Sequence, residues 1–282
     1  MNKRKIGAIQ VFLAALCWSF SGVFTKWLPW SSFTIIGMRS FTAMLALAIS
    51  RKSFKVRMSK GNILGALGMS LTSILFLTAT KFTSSANAIV LQYAMPVVVI
   101  ALCWIVFKQK PSAKDVVTSV FVLCGVILCS WKGLTEGGGK LFGDILGLLS
   151  AFSYALVFFC AKLPNTDARE YSYLGAIMCL PFSLYAFFDP NMTVQPIHLL
   201  GVAAMGLCLA GGYFFISLSL KNVSPVTSAL LANLEPVLNP IWTFLFIGEN
   251  PGKMSIIGAA VVIITVTVYS LLKDKKKNID AA

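Results

Sequence analysis

Charged residues are scarce in this chain of 282 residues, and their scarcity limits the classes of protein to which it can belong. Only 12% of the residues are Asp, Glu, Lys or Arg, about half of the roughly 25% found in soluble domains. Hydrophobic residues make up 57% of the chain, and the mean hydropathy is +0.81. A large soluble core would need helices with a polar face, and the apolar runs here have none. The composition therefore predicts a helical protein that crosses a membrane several times.

The patterns of catalytic and metal sites are also missing. The chain has one histidine and no paired acidic residues, which argues against an integral-membrane enzyme with acid–base or metal chemistry. It has no glycine-rich phosphate loop followed by lysine, so ATP-driven machinery of that kind is not expected. The seven cysteines lie within apolar runs without metal or redox spacing, and we interpret them as packing residues. We therefore expect no cofactor and no metal.

The net charge of +14 would suggest nucleic acid in a soluble protein, but here the basic residues cluster in a few loops, so membrane topology explains them better. The loops separate ten apolar segments, at about 6–27, 33–50, 62–80, 84–107, 113–131, 143–163, 171–188, 197–217, 224–247 and 253–272. With a cytoplasmic N-terminus, eighteen Lys and Arg residues fall in inner loops and five in outer ones. This bias predicts that both termini are cytoplasmic in a multi-pass cell-membrane protein, with an uncleaved first helix after "MNKRKIG".

The sequence contains an internal repeat. Residues 80–111 align without gaps to 220–251, and residues 7–26 align without gaps to 143–162. The paired landmarks are Lys81 with Lys221, Pro96 with Pro236, Pro111 with Pro251, Gly7 with Gly143, Trp18 with Tyr154, and Lys26 with Lys162. Each unit then holds five spans, at 6–131 and 143–272, before a basic cytoplasmic tail at 273–282. Because five is odd, the second unit enters the membrane upside down, as in many secondary transporters with a midplane site.

On these residues the chain resembles the drug/metabolite transporter superfamily in its ten-helix form with two EamA domains. The stretches that carry the resemblance are "ALCWSFSGVFTK", "GMRSF" with Arg39, "SSANAIVLQYAMPV", and "SPVTSALLANLEPV" followed by "FIGE". Glu235-Pro236 and Gly248-Glu249 are the most specific pairs. Departures are Tyr154 in place of the usual Trp, and Asn250-Pro251-Gly252 after the second pair. The resemblance implies transport of amino acids and other small metabolites, or of drugs, nucleosides or activated sugars.

Glu235 is the sharpest candidate for a site, because it is the only acidic residue deep inside a predicted span. A charge at the centre of a membrane helix costs roughly 2.5–3.5 kcal/mol on insertion scales, so such residues usually face a cavity or a partner. It could bind a substrate ammonium or a coupling proton. The alternative is a structural partner of Arg39 or a lysine.

The neighbours of Glu235 extend the candidate site. Asn239, Trp242 and Phe246 follow it at helical spacing, so we expect one shared face. Pro236 and Pro240, and Pro96 in the first unit, each remove a backbone donor and free a carbonyl, which could line a hydrated cavity or merely kink the helix for packing.

The remaining candidates lie on other segments. Trp18 and Tyr154 could form matching walls of a midplane pocket, or pack ordinarily. Asn87, Gln92, Tyr93 and Asn233 are further polar candidates. Gln92 and Tyr93 are about 100° apart on a helix, so we expect that not all of these side chains face the cavity. Arg39 either snorkels to the outer interface, serves structurally, or counters a substrate carboxylate.

The sequence thus predicts an all-α integral membrane secondary transporter with two inverted five-helix repeats. Its partners are the lipid bilayer, a small polar substrate such as an amino acid or derivative, and protons as the candidate coupling ion, with export by alternating access and no nucleic acid. Drugs, nucleosides or activated sugars are alternative substrates. A non-transporting membrane sensor is the rival from another class, and the lack of long soluble loops argues against it. The oligomeric state stays open.

Overall fold

The computed structural model of the protein describes residues 3–83, 85–129, 131–136, 141–248 and 252–279, and its regular elements in these ranges are all helical. The first half contains α1 (Lys3–Ser19), α2 (Ser21–Trp27), α3 (Ser32–Arg51), α4 (Lys60–Phe82), α5 (Ser85–Gln92), α6 (Met95–Phe107), α7 (Ala113–Cys129) and the short α8 (Trp131–Glu136). The second half contains α9 (Leu141–Phe159), α10 (Ala168–Cys179), α11 (Pro196–Ser219), α12 (Pro225–Ala232), α13 (Glu235–Ile247) and α14 (Lys253–Ile279).

All ten predicted segments are helical, which confirms the fold class. Within the described ranges, eight of them are long and apolar enough to cross a membrane. Of the other two, segment 113–131 is the 17-residue helix α7, and segment 171–188 is α10 continued by a 3₁₀ helix at Leu180–Phe187. The helix α14 extends to Ile279, into the predicted tail, because lysine is a good helix former.

Large apolar side chains cover the outside of the helices. In a soluble monomer, exposed apolar patches of this extent are rare, whereas hydrocarbon chains of a bilayer are their natural surroundings. Examples with more than half of their surface exposed are Phe41, Ile105, Phe152, Leu200 and Ile264.

The contacts between the two halves come in matched pairs, in which the two halves exchange roles. The helix α1 packs on α11 while its counterpart α9 packs on α4, and α3 packs on α11 while its counterpart α10 packs on α4. Equivalent helices also meet each other, as α3 does with α10 and α7 with α14. This exchange is what two similar units related by a two-fold axis produce, and with five spans per unit that axis lies in the membrane plane.

Close glycine contacts follow the same exchange, at positions that the two sequence alignments pair with each other. Gly7 on α1 packs against Asn222 and Val223, which follow α11. Its counterpart Gly143 on α9 packs against the residues that match these two, Phe82 and Thr83, at the end of α4. The aligned positions therefore meet the same partners in both halves.

The fourth and ninth segments are each broken in two at the same place. In the alignment of 80–111 with 220–251, α5 and α6 match α12 and α13 in both their first and last residues. Short turns separate the pieces, with Ala94 N donating to Leu91 O at 3.2 Å and Leu234 N donating to Leu231 O at 3.1 Å. The sequence predicts that Pro236 frees a carbonyl within a helix, either to line a cavity or to kink the helix for packing. In the structure Pro236 is the second residue of a new helix, where a missing N–H costs no helical bond.

Polar contacts join the antiparallel helices α3 and α10 at both ends of the pair. On the face of the N-terminus, Arg51 Nη2 lies 2.5 Å from Glu170 Oε2, and Arg51 Nε donates to Oε1 at 3.3 Å. On the opposite face, Asp189 Oδ2 accepts hydrogen bonds from Ser31 N at 2.7 Å and Thr34 Oγ1 at 2.5 Å.

Asp189 lies beyond the 3₁₀ helix, outside the apolar spans. Burial acts to raise the pKa of Asp189, but the hydrogen bonds that it accepts from Thr34, Ser31 and Asn191 outweigh burial and hold that pKa below its ordinary value. The carboxylate is therefore stabilised in its charged form, which is the form that accepts all of these bonds.

Candidate functional site

A cavity of about 220 Å³ lies between the two halves. It is walled by α1, α2, α3, α4 and α5 from the first half and by α9, α11 and α13 from the second. The cavity extends toward the face opposite the N-terminus, because Thr25 and Thr80, near the ends of α2 and α4, are in its wall. Toward the N-terminal face, α6 and α9 pack together through Phe107 and Phe159, whose ring centroids are 5.2 Å apart.

Glu235 lies in the wall of this cavity, partly exposed to it, as the first residue of α13. Its position at a helix N-terminus suits a carboxylate, because the unpaired N–H groups there carry partial positive charge. The Tyr93 hydroxyl lies beside the Glu235 carboxylate, and Arg39 is near enough to attract it electrostatically. The break between α12 and α13 thus presents a carboxylate at mid-depth of the bundle.

Arg39 also lies in the wall of the cavity and is buried, with 7% of its surface exposed. Nη2 of Arg39 donates to Ser73 Oγ at 3.3 Å, while Nε has no hydrogen-bond partner in the part of the chain that the structure describes. Of the alternatives that the sequence left open for Arg39, snorkelling to the outer interface is therefore excluded. The helix α3 carries it inward, against α4 and α11, so the cavity contains one acidic and one basic group.

Four aromatic side chains form the inner wall. Trp18 packs edge-on against Tyr154, with ring centroids 6.0 Å apart, and against Tyr213, with centroids 5.3 Å apart. Tyr93 packs edge-on against Tyr154 at 6.4 Å. Trp18 Nε1 is buried and has no hydrogen-bond partner within the described ranges. Trp18 and Tyr154, at matched positions of the repeat, thus meet in the centre of the molecule.

Gln92 and Tyr93 both line the cavity, contrary to the expectation from the helical wheel. The helix α5 ends at Gln92, and Tyr93 begins the turn before α6, so the angular spacing of neighbours on a continuous helix does not apply across them. The same break explains why Tyr93 reaches Glu235 at the equivalent break of the other half.

Other predicted candidates lie outside the cavity wall. Trp242 Nε1 donates to Ser19 Oγ at 2.8 Å, and its ring stacks on Phe20 at 4.5 Å. Asn233 is fully buried in the turn between α12 and α13, and its Nδ2 donates to Ala229 O at 2.9 Å. The expected shared face of α13 holds only from Glu235 to Asn239.

Four further predicted residues complete this comparison. Pro236 lines the cavity, whereas Pro96 is buried and contributes no surface to its wall. The side chains of Asn87 and Pro240 lie outside the described part of the structure.

Sequence reasoning missed Tyr213 and Ser73, which also line the cavity. They occupy equivalent positions of the repeat, at the same offset of 140 residues as Lys81 and Lys221. Extending the alignment of 80–111 with 220–251 by seven residues toward the N-terminus would have found them. Among the described residues, no group of three or more His, Cys, Asp or Glu could hold a metal ion.

Comparison with known proteins gives a family for this fold. The model of the EamA-like transporter family matches residues 5–131 and 141–271. The uncharacterized transporter YwfM of Bacillus subtilis is 25% identical, over 99% of each chain, and the uncharacterized inner membrane transporter YicL of Salmonella typhimurium is 23% identical over 100% of each. A crystal structure described only as that of a protein shares the fold, with a TM-score of 0.76 and 17% identity over 96% of this chain and 99% of its own.

Proposed function

Because the chain belongs to the EamA-like transporter family, whose members are multi-pass membrane transporters and not enzymes, we propose that it exports a small polar metabolite, an amino acid or a derivative, by alternating access. The observation that carries this proposal is the cavity of about 220 Å³ between the halves, which holds both a carboxylate, Glu235, and a guanidinium, Arg39. Opposite charges in one enclosed site suit a zwitterionic substrate.

The units proposed are residues 6–131 and 143–272, with both termini cytoplasmic. Similar units in opposite orientation can exchange their conformations, so that states open to either side have similar energies. The exchanged helix packing and the matched breaks in the fourth and ninth segments support this mode of action. The cavity extends toward the face opposite the N-terminus, which on this topology is the outside.

Glu235 is the proposed binding and coupling residue. A substrate ammonium entering the cavity would meet this carboxylate, which lies near Tyr93 and Arg39. A proton could neutralise the same carboxylate, so proton and substrate would compete for one group. Such competition couples the two movements, because only a carboxylate that has lost its proton binds the ammonium.

Drugs, nucleosides or activated sugars are the second candidate substrates. The aromatic wall of Trp18, Tyr93, Tyr154 and Tyr213 favours a flat ring as a ligand. These compounds differ from amino acids in lacking an adjacent ammonium and carboxylate. The same transport assay therefore distinguishes them.

Counterflow of radiolabelled amino acids in proteoliposomes tests the proposal, with nucleosides and hydrophobic amines as competitors. The wild type should exchange at least one amino acid, and Glu235→Gln should abolish proton-dependent uptake. The matched control is Asp167→Asn, which removes the charge of a carboxylate outside the cavity; Asp167 caps α10 by accepting from Arg169 N at 2.9 Å, and asparagine serves equally well as an N-cap. Full activity of Glu235→Gln with an unchanged pH profile would refute the coupling role, and exchange of nucleosides alone would refute the substrate class.

A further inference from the structure

Two buried side-chain atoms in the cavity wall have no hydrogen-bond partner among the described residues. They are Arg39 Nε and Trp18 Nε1, and both residues are more than nine-tenths buried. Each atom carries a hydrogen and can only donate. A buried donor without an acceptor is unfavourable, and most such donors in proteins are satisfied by protein, water or ligand. The wall thus lacks acceptor oxygens at these two places.

The charge around Arg39 also indicates that an acceptor, preferably an anionic one, is missing beside this side chain. Its guanidinium reaches Ser73 through Nη2, and Ser73 is neutral. Glu235 attracts it electrostatically, but no ion pair within 4 Å joins Arg39 to Glu235 among the described residues. The N–H groups of a guanidinium are the donors that proteins use to bind carboxylates through charge-assisted hydrogen bonds, and Nε–H of Arg39 is available for one.

We propose that Arg39 and Trp18 form a carboxylate-binding subsite, so that the substrate is recognised through a free carboxylate while Glu235 holds its ammonium. This inference rests on the proposed function. It adds that the substrate needs a free carboxylate for Arg39 and Trp18 as well as an ammonium for Glu235. Both donors line the same cavity as Glu235, and Tyr213 in its wall packs on Trp18 with ring centroids 5.3 Å apart. One ligand in this cavity is therefore exposed to the donors and to the carboxylate together.

The subsite makes a prediction about ligands that differ only at the carboxylate. An amide or ester cannot offer two anionic oxygens, and a decarboxylated amine would bring its positive charge next to Arg39 without an anion to offset it. Each should therefore bind worse than the parent amino acid, by about ten- to a hundredfold for one lost charge-assisted hydrogen-bonding group.

The test uses the purified full-length chain and needs no mutation at first. L-Alanine, L-leucine and L-phenylalanine are compared with their amides and with ethylamine, isoamylamine and phenethylamine, as competitors of counterflow and as ligands in thermal-shift titrations. We expect the free amino acid to compete at concentrations about ten- to a hundredfold lower than its amide or amine. Equal competition by amino acid and amide would overturn the subsite and leave the proposed function standing. If no amino acid exchanges or binds, the proposed function fails, and the subsite fails with it.

Variants then locate the effect. In Arg39→Gln and Trp18→Phe, the preference for acid over amide should shrink toward one. The control Trp242→Phe removes an indole N–H that donates to Ser19 outside the cavity, so its preference should equal that of the wild type. A preference that persists in Arg39→Gln would assign the carboxylate to another group and refute the subsite. If Arg39→Gln does not fold, Trp18→Phe and the ligand series in the wild type decide the outcome.

Discussion

Gly212 on α11 determines how closely that helix approaches Trp18, and Gly212→Ala is expected to destabilise the protein. A Cβ at this position would lie closest to Trp18 Nε1 and 2.5 Å from Cδ1 and Cε2, whereas ordinary contacts begin at 3.4 Å, so the indole must move by more than 0.9 Å. The ring is held by Tyr154 on one side and Tyr213 on the other, which leaves it little room. Inserting a methyl group into such a contact costs about 1–3 kcal/mol.

That cost should lower the Tm by about 2–10 °C, measured on detergent-solubilised protein by the loss of the monodisperse peak after heating. The neighbouring Gly211→Ala is the matched control, because its Cβ would meet only the side chain of Cys17, at 3.2 Å for the nearest atom. Trp18→Tyr should restore the Tm of Gly212→Ala. At the equivalent contact between α9 and α4, Tyr154 and Thr72 stand at these two positions, and both line the cavity. An equal fall in Tm for both alanine variants, or no rescue by Trp18→Tyr, would refute the reasoning.

Glu170→Gln should destabilise the protein by about 3 kcal/mol, because the side chain of its partner Arg51 is only 4% exposed and keeps its charge. Asp167→Asn, in a half-exposed pair, should cost less than about 1 kcal/mol, and equal losses in the two variants would contradict this account. Stability should also fall in acid, since the pKa of Asp189 is lower in the folded than in the unfolded chain: its contribution is present above the ordinary value of 3.8 and disappears as the pH falls through the folded value. The difference in Tm between pH 7 and pH 3 should be smaller in Asp189→Asn than in the wild type. An unchanged difference would show that another group causes the loss of stability at low pH.

The span pattern and the repeat could be predicted from the sequence because both depend on composition and on landmarks that recur. Ten apolar runs of membrane length separated by basic loops leave few alternatives. The alignment that places Pro96 on Pro236 also superposes both pieces of each broken helix. Both regularities can be recognised in the sequence without knowledge of any contact in the structure.

The wall of the cavity was only partly predictable, because it depends on where helices break and how they rotate. A continuous helical wheel put Trp242 on the face of Glu235, but that tryptophan packs against α1 and α2 through Ser19 and Phe20. The wheel also separated Gln92 from Tyr93, and the turn after α5 brings both to the cavity. Arg39 is inside because α3 packs on α4, α10 and α11, and a single sequence does not show which face of α3 those helices cover.

The polar contacts that join α3 to α10 at both ends limit how the molecule can rearrange. Separating these helices on the N-terminal face would break the pair of Arg51 and Glu170, and separating them on the other face would strip Asp189 of its donors. Neither end can part without exposing a charge that is now satisfied. If the protein works by the alternating access proposed above, we therefore expect α3 and α10 to stay together, and the rearrangement to take place in other helices, such as the broken pairs α5–α6 and α12–α13.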